Sequence, residues 1–136
     1  MDKIGFTCGA MDLLHAGHIL MLAECKSHCD YLIVGLQTNP QIDRPEKNKP
    51  VQSLIERYIQ LKGCSYVDEI IPYQTEEELV EILRGVPMDV RFVGSDWKGK
   101  PFTGHDLPGM LDKVIYNVRK HDYSSSSLRK RIVKES

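Results

Sequence analysis

Two histidines three residues apart, His15 and His18, stand in the run Gly9-Ala10-Met11-Asp12-Leu13-Leu14-His15-Ala16-Gly17-His18. At the start of a helix, imidazoles with that spacing share a face, and the free backbone N–H groups of the same turn favour an anion. The pair could donate hydrogen bonds to a phosphate, with Gly17 letting the backbone come close. A capped turn with surface histidines is the plainer reading, and a metal site would need further ligands. A second cluster, Ser124-Ser125-Ser126-Ser127-Leu128-Arg129-Lys130-Arg131, follows Arg119. One helix cap needs one serine, so four hydroxyls with orphan N–H groups and guanidinium groups nearby fit a polyphosphate cradle as well as a simple cap. In Gly94-Ser95-Asp96-Trp97-Lys98-Gly99-Lys100 the only tryptophan stands beside an acid and two lysines. Asp96 and Trp97 could hold a base, or Trp97 could be a packing anchor. The basic stretch Arg44 to Lys49, followed by Arg57, reads by itself as a solvated charge run.

These segments are positioned by apolar runs that alternate with stretches of helical period, the pattern of a parallel α/β sheet. Strands are expected at Lys3 to Cys8, Tyr31 to Leu36, Val67 to Pro72, Val90 to Gly94 and Lys113 to Val118. The uninterrupted run Tyr31-Leu32-Ile33-Val34-Gly35-Leu36 suits a strand buried on both faces. A helix should run from Gly17 until the period fades at Lys26-Ser27. Ser53 should cap a second that Gly63 stops, Thr75 a third that Gly85-Val86-Pro87 ends, and the serine cluster a last one to about Val133. Thr38 to Pro50, punctuated by three prolines, and Ser95 to Pro108 are expected as surface loops. Right-handed connection rules fold this order into an open, doubly wound, parallel five-stranded α/β sheet with helices on both faces. Ligands of such sheets lie outside the carboxyl ends of the strands, where all four unusual segments fall.

With 136 residues, 41% hydrophobic and 27% charged, the chain is sized for one domain, 1–136, with a self-sufficient core. Eighteen basic against nineteen acidic side chains leave a net charge of -1. That balance excludes the broad positive footprint of nucleic-acid or membrane-surface binding, so any anionic ligand must be met locally. The positive charge is gathered at Arg44 to Lys49, Lys98 to Lys100 and Arg119 to Arg131, where a compact triphosphate could be met. No apolar run approaches the ~18 residues of a membrane span, and Met1 to Phe6 lacks the regions of a signal peptide, so a cytoplasmic protein is expected. Cys8, Cys25, Cys29 and Cys64 are then expected as reduced thiols. Cys25, His28 and Cys29 lie near one helical face, but no second ligand pair of the zinc type follows, and small buried side chains are the better reading.

The run Gly9 to His18 resembles the Gly-Thr-Phe-Asp-x-x-His-x-Gly-His signature of the cytidylyltransferase-like nucleotidyltransferases. Three further blocks of that family are matched in the same order: Tyr66-Val67-Asp68-Glu69, Gly94-x-Asp96-Trp97-x-Gly99-Lys100, and Arg119 followed by Ser124 to Arg129. Together they span nearly the whole chain and most resemble the small, single-domain glycerol-3-phosphate cytidylyltransferase type. The resemblance implies a homodimeric Rossmann-like domain that transfers CMP from CTP to a phosphorylated alcohol. Pyrophosphate would be released and Mg²⁺ would shield the triphosphate, giving a CDP-activated precursor for a surface polymer such as a capsule or teichoic acid. It implies that His15 and His18 stabilise charge on the phosphates, that Lys47 closes over the triphosphate, and that Arg119, Ser124, Ser125 and Ser126 bind it. Cys8, Gly9, Ala10, Asp12, Gly17, Gly94 and Asp96 fall in nucleotide-contacting blocks, and Trp97 and Ser65 near the acceptor. Ala10 and Met11 replace Thr and Phe of the signature, Lys120 and His121 replace the usual residues after Arg119, and Ser65 replaces an arginine, removing a cation. Acceptor choice is therefore expected in the loops around Ser65 and Trp97 or across a dimer interface. An adenylyltransferase of the same superfamily, and a nucleotide-binding domain without catalysis, are the competing readings.

Overall fold

The computed structural model describes residues 2–118 and 125–135. Arg119, Lys120, His121 and Ser124 lie outside the described residues, and of Ser125 and Ser126 the backbone alone is described. Strands β1 (Ile4–Gly9), β2 (Tyr31–Gln37), β3 (Glu69–Tyr73), β4 (Val90–Gly94) and β5 (Val114–Asn117) alternate with helices α1 (Ala16–Ser27), α2 (Leu54–Lys62) and α3 (Glu76–Gly85). Helix α4 (Ser125–Glu135) follows. The strands form one all-parallel sheet in the order β3-β2-β1-β4-β5, the Rossmann-like arrangement read from the sequence.

Each boundary has a local cause. Ser53 and Glu56 form a reciprocal capping box at the start of α2, Ser53 Oγ accepting from Glu56 N at 3.2 Å and Glu56 Oε1 from Ser53 N at 3.0 Å. Thr75 caps α3 by accepting from Glu78 N, ahead of three glutamates that suit the positive end of the helix. The third strand starts at Glu69, two residues later than its apolar run predicts. Residues 66–68 are drawn into the lead-in, where the Asp68 carboxylate accepts from Leu32 N at 2.8 Å and pairs with Lys26. The loop from Thr38 is broken by a 3-10 turn, Pro40–Ile42, capped by Asn39.

Helices α1 and α2 cover one face through Leu22, Cys25 and Leu61 against Leu32, Val34, Val90 and Phe92. Helix α3 covers the other through Leu79 and Leu83 against Phe6, Ile33 and Tyr73. Gly35 is required for close approach on that second face, since a Cβ there would meet Phe6 Cζ at 2.9 Å and Tyr73 Cε1 at 3.2 Å. The cysteines are free thiols of the packing: Cys25 and Cys64 are buried, and burial pushes the Cys25 thiol up to about 12. No helix among the described residues is long and apolar enough to cross a membrane.

Arg57 departs from the sequence expectation. It does not belong to a solvated charge run but is 2% exposed. Its Nη1 donates to Ala10 O at 3.0 Å and Gln37 O at 2.6 Å, Nη2 donates to Thr38 O at 2.6 Å, and Nε reaches the carbonyls of Gln52 and Ser53. One side chain of α2 thereby gathers the carboxyl ends of β1 and β2 by their carbonyls. Arg57→Met should leave those carbonyls without donors and lower unfolding stability by about 3–5 kcal/mol. Urea unfolding followed by circular dichroism tests this, and a loss below about 1 kcal/mol would contradict the role.

Candidate active site

The order β3-β2-β1-β4-β5 reverses direction between β1 and β4, which opens a crevice at the carboxyl ends of the strands. A cavity of about 820 Å³ lies there, in the size range of small-molecule sites. Of the residues singled out in the sequence, Cys8, Gly9, His15, Gly17, His18, Lys47, Gly94, Asp96 and Trp97 line it. The segments far apart in the chain thus converge on one space because each follows the carboxyl end of a strand.

The histidines are fixed by the backbone of the helix they start. His15 is the N-cap of α1: its Nδ1 accepts from Gly17 N at 2.9 Å, while His18 Nδ1 accepts from His15 N at 3.2 Å. Imidazoles here take the parts that Ser and Glu take in an ordinary capping box. With both Nδ1 atoms accepting, the ring protons sit on Nε2, so each ring is set as a hydrogen-bond donor. The ring centroids are 4.0 Å apart. Burial, and then the neighbouring His15, push His18 down to about 4, with Asp12 acting in the opposite direction. His18 is therefore a neutral donor at physiological pH, aimed with the positive end of α1 at a space suited to phosphate.

Three of the assigned residues do not line the cavity. Asp12 is buried, does not line the cavity, and accepts from Val51 N at 2.8 Å and Gln52 N at 3.0 Å while pairing with Arg129 of α4. Burial opposes its charge, but these donors outweigh burial and hold the carboxyl below the ordinary carboxylate value. Ala10 offers its carbonyl to Arg57 and is likewise absent from the lining. Ser65 is exposed in the connection before β3, at the amino end of the strands, so within one chain it stands across the sheet from the cavity. Lys98 and Lys100 are exposed and do not line the cavity either, and Arg129 spends its charge on Asp12. The turn holding Asp12 is strained, with Met11 at φ 51 and Leu13 at φ 52, both non-glycine residues in the left-handed region.

Arg44, the first residue of the basic stretch, lines the cavity but is no solvated charge: it pairs with Glu76 at 2.8 Å and lies 5.5 Å from the Trp97 ring centroid. Two lining residues carry no motif of the sequence. Tyr73 and Arg91 enter from the ends of β3 and from β4. The one signal available for Arg91 was a charge in the middle of the apolar run Val90 to Gly94. Among the described residues, no three His, Cys, Asp or Glu side chains come together as metal ligands. His18 should titrate with a midpoint near 4 when its ring Cε1–H resonance is followed by NMR, and a midpoint near the ordinary 6.5 would overturn the buried, neutral assignment. Because the unfolded ring takes up its proton near 6.5 and the folded ring only near 4, this group lowers stability progressively as pH falls through that window.

Comparison with known proteins bears on this geometry. The chain is 32% identical over 132 residues to glycerol-3-phosphate cytidylyltransferase of Bacillus subtilis, covering 97% of this chain and 98% of that one. It is 32% identical over 131 residues to bifunctional protein HldE of Campylobacter curvus, covering 96% of this chain and 27% of that protein. The chain thus spans about a quarter of the length of the HldE proteins it matches. The fold is shared with a lipopolysaccharide core biosynthesis protein from Thermoplasma volcanium, at TM-score 0.62 and 19% identity over 99% of this chain and 89% of that one. It is also shared with a bifunctional NMN adenylyltransferase/ADP ribose pyrophosphatase from Francisella tularensis, at TM-score 0.67 and 14% identity over 100% of this chain and 43% of that one. The family model described as cytidylyltransferase-like matches residues 6–131, and the chain belongs to that family of nucleotidyltransferases.

Proposed function

We propose that the protein transfers CMP from CTP to a small phosphorylated alcohol, of which glycerol 3-phosphate is the type, and releases pyrophosphate. The observation that carries the reading is the imidazole capping box, which holds two Nε2–H donors at the start of α1 beside the strand-end cavity. Cytidine is favoured over adenosine by the end-to-end similarity to the Bacillus enzyme. Chemically, an oxygen of the acceptor phosphate attacks the α-phosphorus of CTP in line while the bond to the pyrophosphate oxygen breaks. No covalent enzyme intermediate is needed, so the protein's work is positioning and charge stabilisation. His15 and His18 donate to the phosphate oxygens where negative charge grows, Lys47 approaches them from the loop, and Arg119 with the start of α4 is assigned to the triphosphate. Asp96 and Trp97 are assigned to the base and acceptor side.

Mg²⁺ fits this chain as an ion carried by the triphosphate rather than by a protein cage. Glu76 is paired with Arg44, and Glu24 accepts from Asn117 Nδ2 at 3.0 Å, which leaves Asp96 as the lining carboxylate with neither an ion pair nor a side-chain hydrogen bond among the described residues. Magnesium commonly binds through one carboxylate, waters and substrate phosphates, and it would neutralise charge on the leaving pyrophosphate. A second copy of the chain is assigned to the outer side of α2, where Ile55 and Ile59 stand one turn apart, 70% and 65% exposed, beside the exposed Val51. A product for surface-polymer synthesis follows from the acceptor class.

Pyrophosphate release should require CTP, the acceptor and Mg²⁺ together, and EDTA should abolish it. His18→Ala should lower turnover by about two orders of magnitude, the scale of one lost transition-state donor. CTP should raise the melting temperature more than ATP at equal concentration, since stabilisation follows occupancy. The opposite order would favour the adenylyltransferase reading, and tight CTP binding without release from any alcohol or sugar phosphate would favour a non-catalytic domain. Ile55→Glu with Ile59→Glu should convert a dimer to a monomer in sedimentation, and a wild-type monomer would remove the dimer assignment.

A further inference from the structure

The histidines and α1 serve one face of the sheet edge, whereas the cavity continues onto the other, the face covered by α3. Arg91 lies there. Its backbone is in register with Phe6, so its side chain shares the face of Phe6, of Cys8 two residues on, and of Tyr73 across the sheet. It is 3% exposed and lines the cavity. We propose that Arg91 anchors the phosphate group of the acceptor, which enters on the α3 face while the nucleotide lies along α1.

A buried charge ordinarily comes with a counter-charge, because taking a guanidinium out of water is costly. Among the described residues Arg91 has no carboxylate in ion-pair range. Its Nη1 donates to Thr103 O, its guanidinium carbon lies 4.9 Å from the Phe102 ring centroid, and its Nε has no hydrogen-bond partner. The Glu76 carboxylate on this side of the cavity is committed to Arg44. The adjoining Cys8 thiol and Tyr73 hydroxyl are both held neutral by burial and supply no negative charge.

Gly104 keeps room for the guanidinium itself: it sits at φ +82, and a Cβ on it would meet Leu83 Cδ1 at 2.5 Å and Arg91 Nη1 at 3.0 Å. An almost fully buried guanidinium without a counter-charge, on the wall of the cavity, suits a compact tetrahedral anion. The triphosphate is assigned to the other face, at the histidine-capped start of α1.

The role of acceptor anchor rests on the transferase reading, whereas the anion site itself does not. The Arg91 Nε–H cross-peak, assigned in the unmodified protein by through-bond correlation to the Arg91 backbone, is followed by NMR while glycerol 3-phosphate, inorganic phosphate or glycerol is added to protein saturated with a non-hydrolysable CTP analogue. A saturable shift with both anions and none with glycerol is expected. Arg91→Met should weaken glycerol 3-phosphate binding about tenfold or more and leave binding of the CTP analogue within about twofold. A cross-peak unmoved by both anions overturns the proposal, as does an Arg91→Met variant that loses the CTP analogue as heavily as glycerol 3-phosphate. Since the unmodified protein gives the first result, a variant that fails to fold does not block the test. Saturable binding at Arg91 without pyrophosphate release from any acceptor would overturn the transferase reading and leave the anion site standing. Release with an unchanged acceptor KM in Arg91→Met would do the reverse.

Discussion

The site depends on one buried cation that does not line the cavity. The Arg57 guanidinium bonds the carbonyls of Ala10, Gln37 and Thr38, drawing together the chain where it leaves β1 and β2, and its Nε closes onto the start of α2. Peptide carbonyls at strand ends have lost their ladder partners, and burying them without donors is costly. Arg57 meets that need in a single rigid fork, which no lysine could copy. Asp12 is the complementary piece, a buried carboxylate accepting from Val51 and Gln52 and pairing with Arg129 of α4. The cation takes up carbonyls and the anion takes up N–H groups. Between them they tie β1, β2, α2 and α4 to one turn.

That turn, which leads into the histidine-capped start of α1, is strained. Met11 and Leu13 hold left-handed backbone, which costs of order 1–3 kcal/mol each for residues of this kind. The anchors around it, including Gln52 Oε1 accepting from Leu13 N at 2.8 Å, hold it in place. What the strain delivers is the entry angle of α1, and with it the capping box in which His15 and His18 are set as Nε2 donors. A donor locked in advance needs no reorganisation as negative charge develops on a phosphate, which is the main source of catalytic power in such transfers.

The charges of the chain sort by geometry rather than by sequence neighbourhood. Arg44 and Arg57 stand in one basic stretch, yet the first pairs with Glu76 over Trp97 and the second is sealed beneath the strand ends. Lys98 and Lys100 flank the Trp97 block but stay outside the cavity, whereas Arg91, in an otherwise apolar strand, lines it. A protein with a net charge of -1 can thus present cations to a phosphate-rich ligand by fixing a few of them at one edge of a sheet.

The alternation of apolar runs with capped helical stretches was enough to read the parallel sheet, its strand-end site and the two histidines, because periodicity, caps and glycine stops are local properties of the chain. The four-block resemblance named the family for the same reason, since its motifs are short and ordered. Burial and partnership are not local. Arg57 carries no sequence feature that separates it from the surface charges near it, and the apolar run around Arg91 shows burial but not what the charge faces. Ser65 falls at the amino end of the strands because α2 carries the chain back across the sheet. Which charges are sealed, which are paired and which is left for a ligand depends on side chains 12 to 117 residues apart in sequence, and only the folded packing brings those into contact.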